Sequence, residues 1–82
     1  MNDDQILEAL HQAIVDECGT PNVPVTVSTV ASDIPGWDSL AHVRIMMNLE
    51  ARLGTVIDID TTYGASTVGD LIHIIADSNA KR

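Results

Sequence analysis

An all-α fold, a four-helix bundle with a long first loop and a short third helix, is what this sequence predicts from three observations. Apolar residues recur at helical spacing in three separate stretches. Proline and glycine interrupt the chain between the first two of them. The one β-like stretch, where Val and Thr alternate, has no obvious second strand to pair with.

The first helix is expected from about residue 3 to about 17. Asn2, Asp3 and Asp4 suit a helix N-terminus through capping and the macrodipole, and Ile6, Leu7, Leu10, Ala13, Ile14 and Cys18 follow at helical spacing. Gly19, Thr20 and Pro21 end it. From Gly19 to Trp37 the chain reads as one long loop, because Pro21, Pro24 and Pro35 forbid a continuous helix. A strand over Val23 to Val30 is the competing reading, and Pro24 weighs against it.

The second helix, Ser39 to Leu53, contains no Gly or Pro. Leu40, Val43, Met46, Met47, Leu49 and Leu53 give it a broad apolar stripe, with Asp38 placed as N-cap and Gly54 as the stop. Val56, Ile57 and Ile59 form a short connector, after which Thr61 to Ala65 has room for a single helical turn. Thr67 with Asp70 makes a capping-box-like start to the last helix, residues 67 to about 77, whose apolar positions are Val68, Leu71, Ile72 and Ile75. Residues 1–78 therefore read as one domain and 79–82 as a polar tail.

Composition narrows the function. A chain of 82 residues has room for one small core, and with one Trp, one Tyr and no Phe that core is aliphatic. A reaction pocket carved into it would remove much of what holds it together, so a surface that works on something external is expected. Twelve acidic against four basic residues, a formal charge of -8, set the chain against nucleic acid and anionic membranes and towards proteins with basic patches. The lone Cys18 has no internal disulfide partner and the N-terminus lacks the basic start and long apolar run of a secretory signal, so a reducing cytoplasm is the expected setting. No stretch approaches the roughly 20 apolar residues that span a bilayer, so no membrane insertion is expected, and the domain is expected as a monomer.

The sharpest feature is the junction Gly36-Trp37-Asp38-Ser39-Leu40. It sets a serine in the first turn of a helix, behind a capping aspartate and ahead of a leucine expected to be buried. The first-turn N–H groups and the helix dipole favour a negative group there. The serine is not self-activated, since Trp37 and Leu40 replace the flanking glycines of a nucleophile elbow.

At these residues the sequence resembles the acyl carrier protein family, whose attachment motif is Asp-Ser-Leu at the start of the second helix. Val43, Met47, Leu49 and Glu50 continue that family's helix-two pattern, and Gly54 follows it. Ile57-Asp58-Ile59 is similar to its third loop, and Thr67-Val68-Gly69-Asp70-Leu71 to the opening of its fourth helix. The likeness runs from Gly36 to Ile75, and the first helix and loop agree in length and pattern. It implies a four-helix fold with 4′-phosphopantetheine, drawn from coenzyme A, bound covalently through Ser39, with Asp38 and Leu40 completing the motif. It also implies a non-catalytic carrier that is loaded, modified and unloaded by a phosphopantetheinyl transferase and by acyl- or aminoacyl-handling enzymes. Trp37, His42, Val43, Arg44 and Met46 are the residues expected to meet those partners; for Thr61, Thr62 and Tyr63 the resemblance suggests a place bordering the arm, and turn and packing roles explain them equally well.

One departure stands out. Ala41 and Arg44 occupy positions that the family pattern fills with acids, and Arg52 adds a second positive charge, so Asp38 to Leu53 is formally neutral. Enzymes of fatty-acid synthesis are expected to dock poorly, and a dedicated polyketide, aminoacyl or other specialised pathway to be served instead.

Blander readings accompany these. Ser39 as an ordinary first-turn serine would leave a helical interaction module without a prosthetic group, and a DNA-binding helix-turn-helix is disfavoured by the acidic surface. Met47 is expected in the core and Met46 nearer the surface. His42 is expected to face a partner rather than act as a base, and Trp37 to plug the loop or touch the arm. Cys18 is expected as a small core or helix-end residue rather than a reactive thiol, and no metal site is expected, because His11 and Cys18 lie roughly 10 Å apart along one helix.

Overall fold

Helix α1 spans Asp3–Cys18 in the computed structural model, which describes residues 2–19 and 23–80. Its start is a full capping box: the Gln5 amide donates to the Asn2 side chain and the Asn2 amide to Gln5 Oε1, each at 2.9 Å. Ile6, Leu10, Ala13 and Ile14 face the core. Gly19, left-handed at φ 67, closes the helix by donating its N–H to Val15 O. Thr20 and Pro21, expected to share in that stop, lie outside the described residues.

Among the described residues no strand forms over Val23 to Val30. The chain turns at Val27 and Ser28, because the Thr29 hydroxyl accepts from the Thr26 amide at 2.9 Å while Thr29 N–H donates to Thr26 O. Val23 and Val25 pack against the core and Ile34 is buried in it, so the loop contributes to the interior it crosses. It is also fastened to α4 (Val68–Ala80): Thr29 O and Val27 O accept from the amides of Val68 and Gly69 at 2.8 and 2.9 Å. Those are donors that a helix start otherwise leaves unpaired. A Cβ at residue 69 would stand 3.0 Å from Val27 O, a tight contact that the loop could admit only by yielding a few tenths of an ångström.

Helix α2 (Ser39–Leu53) runs from an Asp38 cap to Gly54, again left-handed at φ 65. Beyond it the Glu50 carboxylate accepts from Ile57 N–H at 2.7 Å and holds the connector in place. Helix α3 is Ile59–Thr62. It begins ahead of the expected Thr61 to Ala65, with Asp58 at the N-cap position; the Asp58 carboxylate makes no capping bond to the backbone and accepts instead from the Thr61 hydroxyl at 2.9 Å. Thr67 opens α4 by accepting from the Asp70 amide, while the Asp70 carboxylate reaches back to Ser66 N–H rather than to Thr67. Helix α4 continues to Ala80, past the expected end near 77, so the first part of the expected polar tail is helical. Lys81 and Arg82 lie outside the described residues.

The core lies where α1, α2 and α4 meet, filled by Leu10, Ile14, Ile45, Leu49, Ile72 and Ile75 among others. Two expectations on α2 are corrected. Leu40 is 71% exposed rather than buried, and the methionines are exchanged: Met46 is fully buried and Met47 is 58% exposed. The helix turns Ala41, Ile45, Met46 and Leu49 inward, and that phase leaves Leu40 and Met47 on the outside. Among the described residues no helix is long and apolar enough to cross a membrane.

Candidate functional site

The loop delivers Ser39 through a tight turn. Trp37 N–H donates to Ile34 O at 3.2 Å across Pro35 and Gly36, and Gly36 holds φ 89, as the third residue of such a turn requires. Asp38 then caps α2, its carboxylate accepting from Ala41 N–H at 2.8 Å. Ser39, the first helical residue, is exposed. The residue is therefore open to solvent and sits at the positive end of the helix dipole.

A cleft of about 300 Å³ opens beside Ser39, between the start of α2, α3 and the start of α4. Trp37 and His42 form one side, Thr62 and Tyr63 another, and Thr67 and Leu71 a third. Tyr63, half-exposed, donates its phenol to Ser39 O at 3.3 Å. Thr62 and Tyr63 thus border the cleft, while Thr61 is exposed and holds Asp58.

His42 does not face outward, contrary to the sequence expectation: it is 8% exposed. The Trp37 indole can only donate, and it donates to Nδ1 at 3.1 Å, so Nε2 carries the imidazole proton. Nε2 donates to Thr62 Oγ1 at 2.7 Å, and Thr62 in turn donates to Ile59 O at 2.5 Å. The ring stacks on Trp37 at 5.9 Å and tilts against Tyr63 at 4.5 Å. Burial pushes its pKa below the ordinary 6.5, which favours the neutral form that this chain of bonds needs. With both nitrogens engaged, His42 has none left to activate Ser39.

Of the remaining expected partner residues, Met46 is buried and offers no surface, Trp37 and Val43 are half-buried, and Arg44 is exposed. The basic residues of α2 lean on α1: Arg44 pairs with Glu17 at 3.6 Å, and Arg52 pairs with Asp16. That Arg52 contact, helped by Asn48, lowers the Asp16 pKa. Cys18 is half-buried at the end of α1, and burial raises its thiol pKa, with the Asp38 and Glu17 carboxylates adding to the effect. Among the described residues no cluster of three His, Cys, Asp or Glu side chains is gathered for a metal ion. Sequence reasoning missed the His42–Thr62 bond, which joins residues on different helices and leaves no local trace.

The phosphopantetheine attachment site family model matches residues 8–75. The chain is 31% identical over 75 residues to an acyl carrier protein of Exiguobacterium sibiricum, covering 92% of this chain and 95% of that one. It is 30% identical over 74 residues to an acyl carrier protein of Streptococcus pyogenes, covering 90% and 96%. A Clostridium perfringens acyl carrier protein is 29% identical over 76 residues, covering 93% and 100%. No solved structure matches the chain with significance. With this match along most of its length and an all-helical fold, the chain belongs to the acyl carrier protein family, a family of carriers rather than catalysts whose cofactor is covalent 4′-phosphopantetheine.

Proposed function

We propose that Ser39 carries the 4′-phosphopantetheine arm and that the protein holds an acyl, polyketide or aminoacyl intermediate on it as a thioester. The observation that carries this reading is the exposed Ser39 at the first position of α2, capped by Asp38 and opening onto a cleft. The residues suit the group. An anionic phosphodiester on Ser39 gains from the first-turn amides, and the cleft gives the arm a surface to rest on. When bound, the arm supplies the thiol that bears the cargo. The chain's own residues fix the arm's root on a rigid helix and leave its hydroxyl without a base, so the phosphopantetheinyl transferase supplies the chemistry of attachment.

Incubation with coenzyme A and a broad-specificity transferase should add one phosphopantetheinyl mass, mapped to the peptide containing Ser39. Ser39→Ala should abolish the gain and keep the helical spectrum. A tether on another side chain, or none with a competent transferase, would overturn the proposal and favour a plain interaction module.

We further propose that the carrier is a cytoplasmic monomer serving a specialised pathway. Helix α2 lacks acidic residues in its first turn, and its two arginines are tied to Asp16 and Glu17, so it offers a basic partner little to grip. A fatty-acid-synthase malonyl transacylase should load it more slowly than its own carrier. Equal rates would remove the pathway assignment and leave the carrier role standing.

A further inference from the structure

A hydrogen bond joins two sides of the cleft beside Ser39. His42 from α2, on one side, and Thr62 from α3, on another, meet at 2.7 Å, and each is held from behind, His42 by Trp37 and Thr62 by Ile59 O. The rings of Trp37 and Tyr63 lie against the imidazole, so it has neither a free nitrogen nor room to swing. Deeper in, Ile45, Met46 and Leu49 of α2 and Ile75 of α4 are fully buried.

We infer that the His42–Thr62 pair is a specificity device: it bolts the seam between α2 and α3, so that cargo on the Ser39 arm stays in the shallow cleft and a long alkyl chain is refused the core. This rests on Ser39 carrying the arm. An alkyl chain entering the seam must part the pair and strand a buried imidazole N–H and a buried hydroxyl, and it offers no hydrogen bond in return. It must also force apart a core that is already filled. The hydroxyl-bearing residues Tyr63, Ser66 and Thr67 line the cleft together with Leu71. Thr67 accepts from the Asp70 amide and keeps its own hydrogen to donate. A short acyl group bearing a hydroxyl or amine is the class of cargo that this surface solvates better than a saturated chain does.

The test loads Ser39 from 3-hydroxybutyryl- or decanoyl-coenzyme A with a transferase and confirms each product by intact mass. The His42 imidazole and the amides of Ile45, Leu49 and Ile75 are then followed by ¹⁵N NMR, and thioester cleavage by hydroxylamine is timed. In the wild type the His42 Nε2–H signal should persist and the core amides should stay in place with both cargoes, with equal cleavage rates. In His42→Leu combined with Thr62→Val, decanoyl should shift the core amides and be cleaved about tenfold more slowly, the equivalent of roughly one lost hydrogen-bonded pair. Thr62→Val alone gives the same readout should the double variant fail to fold. Core shifts with decanoyl in the wild type would overturn the inference, and so would a core that stays unmoved in the variants. Absence of the mass gain is seen before any spectrum is taken, and sinks the attachment reading itself together with this inference.

Discussion

Helix α2 is apolar on two sides, and the two sides have different surroundings. Ala41, Ile45, Met46 and Leu49 are fully buried against the rest of the bundle, whereas Leu40 and Met47 stand in solvent a few residues from Ser39. Their chemistry is alike, so the difference is one of helical phase: the inner stripe coincides with the face that α1 covers, and the outer one has nothing laid over it. The inner side stabilises the fold. The outer side contributes little to folding and leaves apolar surface beside the proposed attachment point for a partner to read.

Truncation tests the contrast most strongly. Leu49→Ala should lower unfolding free energy by about 2–5 kcal/mol in urea titrations, whereas Met47→Ala should stay within about 0.5 kcal/mol. Similar losses at both would show that the outer stripe is covered after all. Removing the cap at the junction of the two sides, Asp38→Ala, should cost about 1 kcal/mol, since the Ala41 amide loses its acceptor.

His42 gives the inner side a pH dependence that the outer side lacks. The folded chain keeps the imidazole neutral through burial, while the unfolded chain takes up a proton near the ordinary 6.5. Its contribution to stability is therefore complete above pH 6.5 and declines as the pH falls below it. Melting temperature should drop between pH 7.5 and 5.5, and His42→Gln should flatten that slope; an unchanged slope would mean other groups set it. The smallest effect is expected outside: Leu40→Ser should leave the melting temperature nearly unchanged yet slow transferase modification of Ser39. Modification at the wild-type rate would show that Leu40 is a bystander.

The capped helices were legible in the chain because their signals are local. Asn2, Asp38 and Thr67 stand at helix starts, Gly19 and Gly54 at helix ends, and Pro24 and Pro35 lie in the non-helical first loop. The junction around Ser39 was legible for the same reason, being a cap, a turn and an exposed first residue in succession. Helix α3 lies elsewhere than expected because a single turn is too short for an apolar period to fix its start, and Asp58 stands at its N-cap without a side-chain capping bond.

Charge, length and the spacing of apolar residues thus determined the number of helices, the aliphatic core and the place of the serine, since each depends on neighbours along the chain. Only the packed structure decided which methionine is inside, that Leu40 faces water, that Arg44 and Arg52 are occupied by α1, and that His42 closes on Thr62. Those outcomes depend on which helix lies across which face, and a periodic stripe is equally satisfied by either side until a neighbour covers one.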